Sequence, residues 1–247
     1  SEFSERQWTT LSDQEKQVEA DKMEVYAAMI DRIDQNVGRI VAKLKQEELF
    51  DNTLIMIMSD NGASDIIVDL PNDNDSATIG AIDRWVSLGA SWANVSNTPF
   101  RYFKNYSYEG GIRTPFIVHW PEQVSKQINR QSVVHFIDIM PTLLELSDGY
   151  YPDTFQGEKI TTIQGESIVE AFKSGDRIRQ NPLYFEWQDG QALRTDTWKI
   201  VRQGKQNGWE LYDMANDPVE AVNLADHRPD VLQHLVSEFN EWKLSIN

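Results

Sequence analysis

The sequence predicts an α/β fold followed by a small antiparallel sheet with a terminal helix, and three observations predict it. Apolar residues recur at spacings near three and four from about Gln14 to Leu49, the period of an amphipathic helix. Two short apolar runs, Thr53 to Met58 and Thr114 to Pro121, read as strands covered on both faces, as in a parallel sheet. A third region, holding PLYFEW, QALRTDTWKIVR and WELYD, is aromatic, β-branched and broken by turn residues, as in an antiparallel meander.

Each element has its own justification. In the long helix Val18, Met23, Tyr26, Met29, Ile30, Ile33, Val37, Ile40, Val41 and Leu44 form the apolar stripe. Ser12 is its N-cap, with Glu15 three residues on completing a capping box. Asp51 and Asn52 turn the chain into the first strand, and a helix feeding a buried strand implies an α/β sandwich. The stretch from Gly62 to Asn97, rich in Asp, Asn, Ser and Gly, is a long excursion of the kind that carries function. After the second strand, SVVHFIDIMPTLLELS reads as a short strand or turn and then a helix from about Met140, with Pro141 in its first turn. The meander is punctuated by DG and GKQNG, and a helix from about Asp230 to Leu244 closes the chain. The division falls near Gln180, giving 1–180 as the main α/β portion and 181–247 as a small C-terminal subdomain.

Composition narrows the partners. The 247 residues carry 23 Lys and Arg against 39 Asp and Glu, a net charge of -16, which repels a nucleic-acid backbone. An anionic substrate must therefore be held by a few local cations or a bound metal. No cysteine is present, so disulfides, thiolate metal sites and thiol nucleophiles are excluded and the compartment is left open. No apolar run approaches the ~20 residues of a membrane span. The opening SEFSERQW has neither an initiator methionine nor the apolar core of a signal peptide, so the expectation is a processed chain or a piece of a longer protein.

The chemistry gathers at two stretches. In TLIMIMSDNGASD an apolar strand runs directly into Asp60, Asn61 and Gly62. Ligands of open α/β sheets collect at carboxyl ends of parallel strands, and Gly62 permits a sharp turn there. A carboxylate and an amide oxygen are hard donors suited to Ca²⁺ or Mg²⁺, but Ca²⁺ takes six to eight oxygens. More ligands must come from elsewhere. A bare Asp-Asn-Gly is also a common turn. The second stretch, NTPFRYFKNYSYEGGIRTPFIVHWP, concentrates Arg101, Lys104 and Arg113 before a strand, with a Gly110-Gly111 turn between them.

SDNG and FKNYSYEGGIRTPFIVHWP, preceded by DKMEVYAAMIDRIDQNVGRIV and followed by HFIDIMPTLLEL and WELYDMANDPVEAVNLA, resemble the C-terminal half of a type I sulfatase of the arylsulfatase family. The resemblance covers nearly the whole chain. It implies part of an alkaline-phosphatase-like mixed or parallel sheet flanked by helices, and hydrolysis of sulfate esters, aryl or sugar sulfates. It further implies Asp60 and Asn61 as two ligands of an active-site Ca²⁺ or Mg²⁺, and Lys104 as the catalytic, sulfate-binding lysine. Family members use a formylglycine made from the first residue of [Cys/Ser]-x-Pro-x-Arg. The nearest match here, Asn97-Thr98-Pro99-Phe100-Arg101, begins with an asparagine that cannot become the aldehyde, and is read as a separate downstream motif. The paired aspartates, first strand and histidines of the family's N-terminal half have no counterpart in these residues. The expectation is a portion that is inactive alone, whose partners are the missing N-terminal half, the sulfate ester and, to cover exposed strand edges, a second copy. YFEWQDGQALR departs from the Glu-His-Glu-Gly of many relatives, putting Trp187 and Gln188 near the expected mouth of the site.

The rival enzyme reading is a phosphatase or phosphodiesterase of the same superfamily, which commonly shows His after the strand-end Asp. Asn61 favours a single hard cation instead. A non-catalytic module binding sulfated glycans or a protein is the other alternative. His119 and His135 are read as core residues, and His227 and His234 as solvent-facing. Asp69 to Ser76 lacks the glycine and distal Glu of a calcium loop. Asn74, Asn94 and Asn105 lie in N-x-Ser sequons. Most aromatics of the meander are assigned to packing, and Trp85, Trp92, Tyr102 and Tyr106 are the better candidates for substrate contact if exposed.

Overall fold

A computed structural model describes residues 7–71, 77–124, 132–175 and 177–246. Helix α1, Asp13–Gln46, starts at the expected capping box. The Ser12 hydroxyl accepts from the Glu15 N–H at 3.3 Å and the Glu15 carboxylate accepts from the Ser12 N–H at 2.8 Å. Its apolar stripe is present but lies open, and no residue of the helix is buried.

Strand β1, Ile55–Met58, pairs with a later strand, Phe116–His119, and with no other among the described residues. The two run antiparallel, Ile55 opposite His119 and Met58 opposite Phe116. The expectation of two parallel strands, each covered on both faces, is thereby corrected. An unbroken apolar run reports the cover a strand is built for. It does not report strand direction, which the connection between the strands sets. The cover is not made by the described residues either, since Ile57 is 37% and Ile117 56% exposed.

The excursion after β1 is more ordered than its composition implied. It contains the hairpin β2, Asp69–Pro71, with β3, Arg84–Val86, which Arg84 clamps through two hydrogen bonds to the Asp69 carboxylate at 2.9 and 2.7 Å. Helix α2, Gly89–Ser96, follows, and the Trp92 indole N–H donates to the Glu19 carbonyl on α1 at 3.1 Å. Most of the acidic stretch Asp69 to Ser76, including Asn74, lies outside the described residues. Gly110 and Gly111, expected in a turn, sit in the single-turn helix α3, Glu109–Ile112, which leads into β4, Phe116–His119.

A short 3₁₀ turn at Phe136–Asp138 then opens α4, Ile139–Leu146, the turn being one of the two forms expected ahead of this helix. The fully buried Asp138 carboxylate accepts from the His135 N–H at 2.9 Å, the Glu166 N–H at 2.8 Å and Arg179 Nη1 at 2.5 Å, with Arg177 Nη1 at 3.7 Å. A small hairpin, β5 Thr154–Phe155 with β6 Glu158–Lys159, and helix α5, Val169–Ser174, come between. His135 packs edge-on to Phe185 with centroids 5.5 Å apart, and His119 lies 4.7 Å from the Phe50 ring, so both serve packing. His227 and His234 are exposed.

The C-terminal meander forms as expected. Strands β7 Leu183–Trp187, β8 Gly190–Arg194, β9 Trp198–Gln203 and β10 Glu210–Asp213 make an antiparallel sheet in the order β10-β9-β8-β7. Their period of two separates the two faces. Leu193, Ile200 and Leu211 pack on Leu235 and Phe239 of α6, Pro229–Ser245, while Ala192, Val201 and Tyr212 pack on Tyr108, with Tyr102 and Tyr106 beside it. The second face therefore seats the segment that carries Lys104. Among the described residues no helix is long and apolar enough to cross a membrane.

Candidate functional site

Three backbone segments meet where β1 ends. The Gly62 N–H donates to the Gly111 carbonyl at 2.9 Å, and the Lys104 N–H donates to the Ala63 carbonyl at 2.9 Å. The Ala63 N–H donates to Asn97 Oδ1 at 3.1 Å, while Asn97 Nδ2 donates to the Tyr102 carbonyl at 3.1 Å. The Thr114 hydroxyl closes the strand mouth by donating to the Ser59 carbonyl at 2.7 Å. Contacts this close need residues without a Cβ. One placed on Gly62 would lie 1.8 Å from the Gly110 carbonyl oxygen, and one on Gly110 would lie 2.2 Å from the Arg101 and Tyr102 carbonyls.

The segments that carry Asp60, Asn61 and Lys104 are thus bonded to each other through their backbones, although they come from distant parts of the sequence. Asp60 is exposed; Asn61 and Lys104 are half-buried. Asn61 Nδ2 donates to the Gly62 carbonyl at 3.0 Å, and Oδ1 makes no hydrogen bond among the described residues. The donor chemistry is hard oxygen and fits Ca²⁺ or Mg²⁺ as part of a shell. Among the described residues no three His, Cys, Asp or Glu side chains are grouped to hold a metal.

The three cations of the loop separate into two kinds. Arg101 Nη1 donates to the Tyr212 hydroxyl at 2.8 Å and the Glu220 carbonyl at 3.1 Å, with its guanidinium 4.7 Å from the Tyr108 ring centroid. Arg113 lies 3.7 Å from the Glu109 carboxylate and over the Phe100 ring. Both arginines hold structure. Lys104 is half-buried and has no carboxylate partner among the described residues.

Behind the loop sits a charge cluster that sequence reasoning missed. Lys199 of β9, fully buried, reaches Glu109 Oε1 at 2.8 Å and Glu220 Oε1 at 2.7 Å, and Glu220 Oε2 accepts from the Glu109 N–H at 2.9 Å. Burial works to raise the Glu109 carboxyl, but Lys199 outweighs it and holds the group below its ordinary value. Burial prevails at Glu220 and raises it, against the pull of Lys199. A sequence signal existed. In WKIVR, Lys199 falls in phase with Val201 on the inward face, where a lysine requires a partner. Asn97, read only as part of a motif, proves to be the side chain that ties Ala63 to Tyr102.

The aromatic candidates also sort themselves. Tyr102 and Tyr106 stack with centroids 4.5 Å apart against the C-terminal sheet, and Trp92 is half-buried on α1, so these three pack. Trp85 is exposed on β3. Trp187 is exposed too, and its indole N–H donates to Asn105 Oδ1 at 3.1 Å, beside Lys104.

Comparison with known proteins then decides the family. Residues 2–150 match the Sulfatase family model, and residues 99–244 match the model for the N-sulphoglucosamine sulphohydrolase C-terminal region. This chain belongs to the sulfatase family. It is 32% identical to an uncharacterized sulfatase of Schizosaccharomyces pombe over 94% of this chain and 45% of that protein. With the arylsulfatase of Klebsiella aerogenes it shares 33% identity over 58% of this chain and 33% of that enzyme. Among solved structures, Ps i-CgsB superposes with a TM-score of 0.68 at 26% identity, over 88% of this chain and 42% of that one. BT4656, solved with its substrate D-glucosamine-2-N,6-O-disulfate, shares the fold at TM-score 0.62 and 19% identity, over 88% of this chain and 39% of that one. The sulfatase chain accordingly spans less than half the length of these relatives. Sulfate ester hydrolysis, a divalent metal and formylglycine belong to the family in general.

Proposed function

We propose that this chain is the C-terminal portion of a sulfate ester hydrolase and supplies part of its cation shell and its sulfate-binding cation. Asp60 and Asn61 would hold Ca²⁺ or Mg²⁺, and Lys104 would hold the sulfate oxygens as a point charge suited to a tetrahedral anion. The supporting observation is the direct backbone bond from Lys104 to Ala63, two residues beyond Asn61, with the lysine unpaired to any described carboxylate. A hard cation, when bound, neutralises charge that develops on the ester. The chain's own residues do the rest. Gly62 and Asn97 keep the turn rigid, and Lys104 orients the sulfate against it.

The nucleophile would come from outside these 247 residues, which contain no cysteine and no Ser-x-Pro-x-Arg. On this reading residues 1–180 belong to the catalytic α/β domain and 181–247 form the subdomain that seats its lysine loop. The open apolar stripe of α1 and the outer faces of β1 and β4 are covered by the remaining half of the protein or by a second copy.

Sulfate release from 4-nitrophenyl sulfate and from sulfated monosaccharides by the full-length protein tests the proposal. Loss of one preorganised charge costs about 10²–10³ in turnover, so Lys104→Ala and Asp60→Ala should each fall by that much, and residues 1–247 alone should be inactive. Activity on phosphate esters in preference to sulfate esters, or undiminished activity of both variants, would overturn it.

A further inference from the structure

Resting on that reading, we propose that Trp187 is a stacking platform for a pyranose ring, which makes the substrate a sulfated carbohydrate. Trp187 ends β7, the edge strand of the C-terminal sheet, and is 61% exposed. Two independent contacts fix where it stands. Its indole N–H donates to Asn105 Oδ1 at 3.1 Å, and Asn105 follows Lys104 directly. Its cross-strand partner Gly190 approaches the same loop so closely that a Cβ there would lie 2.8 Å from the Ser107 hydroxyl. The hairpin is thus packed on residues 105–107, and the lysine loop is in turn bonded to the Asp60-Asn61 turn through Ala63.

The hydrogen bond occupies the one polar atom of the indole, so the ring offers an apolar π-face beside the cation that receives sulfate. The turn residues that follow it in the hairpin, Gln188 and Asp189, are exposed and polar, whereas Glu186 points to the opposite face of the strand, toward Lys243 of α6. An apolar flat surface rimmed by hydrogen-bonding groups matches a pyranose, which has an apolar C–H face and a hydroxylated edge. A purely aromatic aglycone would leave that rim unmatched. Trp187 is on this account a specificity-determining residue, acting on binding of the ring and not on the sulfur centre.

The experiment is steady-state kinetics of the full-length protein on the 6-sulfates of glucose, galactose, N-acetylglucosamine and N-acetylgalactosamine, with 4-nitrophenyl sulfate alongside and inorganic sulfate as competitive inhibitor. Trp187→Ala should raise KM for the best pyranoside about tenfold and leave kcat within about twofold, while Trp187→Phe stays within about threefold of the parent. Inhibition by inorganic sulfate, which reports the sulfate site without the sugar ring, should not change. Weakened sulfate inhibition together with lost kcat would show instead that Trp187 merely braces the lysine loop, and would overturn the proposal. Turnover of the aryl sulfate with none of any pyranoside would overturn it while leaving the sulfatase reading intact. No hydrolysis of any sulfate ester would remove that reading and this one with it.

Discussion

Replacing Lys199 by Met removes the one cation, among the described residues, that touches both buried glutamates beneath the lysine loop. Lys199 and Glu220 are fully buried and Glu109 is nearly so, with Lys199 at 2.8 Å from Glu109 and 2.7 Å from Glu220. Breaking a buried pair by deleting one partner destabilises by roughly 3–5 kcal/mol, because the remaining charge is left in a poorly solvating interior. For a unit of this size each kcal/mol lowers Tm by about 2–4 °C, so the expected drop is about 6–20 °C. The pH dependence gives a second handle. Glu109 is held below its ordinary value in the folded protein, so its contribution is present above the unfolded carboxylate range and fades as pH falls through the folded value. Glu220 is raised, so it contributes the opposite slope. Without Lys199 both carboxyls are raised by burial, and protonation relieves both. The deficit of Lys199→Met should therefore shrink as pH falls from 7.5 to 5, and Glu220→Gln in the same chain should recover part of it. Thermal unfolding of the full-length protein by circular dichroism at the two pH values measures this. A Tm loss below about 2 °C at pH 7.5, or a deficit that widens toward pH 5, would refute the assignment of these charges.

Two further substitutions probe neighbouring parts of the molecule. Gly62→Ala places a methyl 1.8 Å from the Gly110 carbonyl oxygen, so it should push the Asp60-Asn61 turn off the lysine loop and lower kcat/KM by more than about tenfold. Activity within about threefold of the parent would show that the two segments need not meet. Asp138→Ala strands Arg179 in a buried site and unpairs the His135 and Glu166 N–H groups, so it should cost about 3–5 kcal/mol in urea unfolding. A midpoint shift equivalent to less than about 1 kcal/mol would mean that the network is solvated in the folded protein.

Much of the fold was legible because its signals are local. The Ser12–Glu15 cap, the stripe of α1, the turn at Asp51-Asn52, the four-stranded meander and the closing helix each depend on residues a few positions apart. The place of Asp60 and Asn61 just past the end of β1 was legible for the same reason, since both are polar residues set abruptly at the end of an apolar run. What misled was the apolar run itself. Ile55–Met58 and Phe116–His119 have the composition of parallel strands yet pair antiparallel, because composition responds to the surroundings of a strand and is blind to the direction of its neighbour. The excursion from Gly62 hid a hairpin and a helix for a related reason. The Arg84–Asp69 clamp and the Trp92 bond to Glu19 that order it join residues 15 and 73 positions apart.

By itself the sequence determined the elements, the acidic surface, the oxygen character of the Asp60-Asn61 pair and the family. Only the tertiary structure decided that, of Arg101, Lys104 and Arg113, it is Lys104 that has no carboxylate or ring partner among the described residues, because each arginine's partners, such as Tyr212 and Phe100, are known only once the chain has folded. It likewise decided that Lys199 of β9 supports the loop through Glu109 and that Trp187 stands beside Asn105. A side chain's chemistry is inherited from its type. Whether that chemistry is free to act depends on what the fold places within about 3 Å of it.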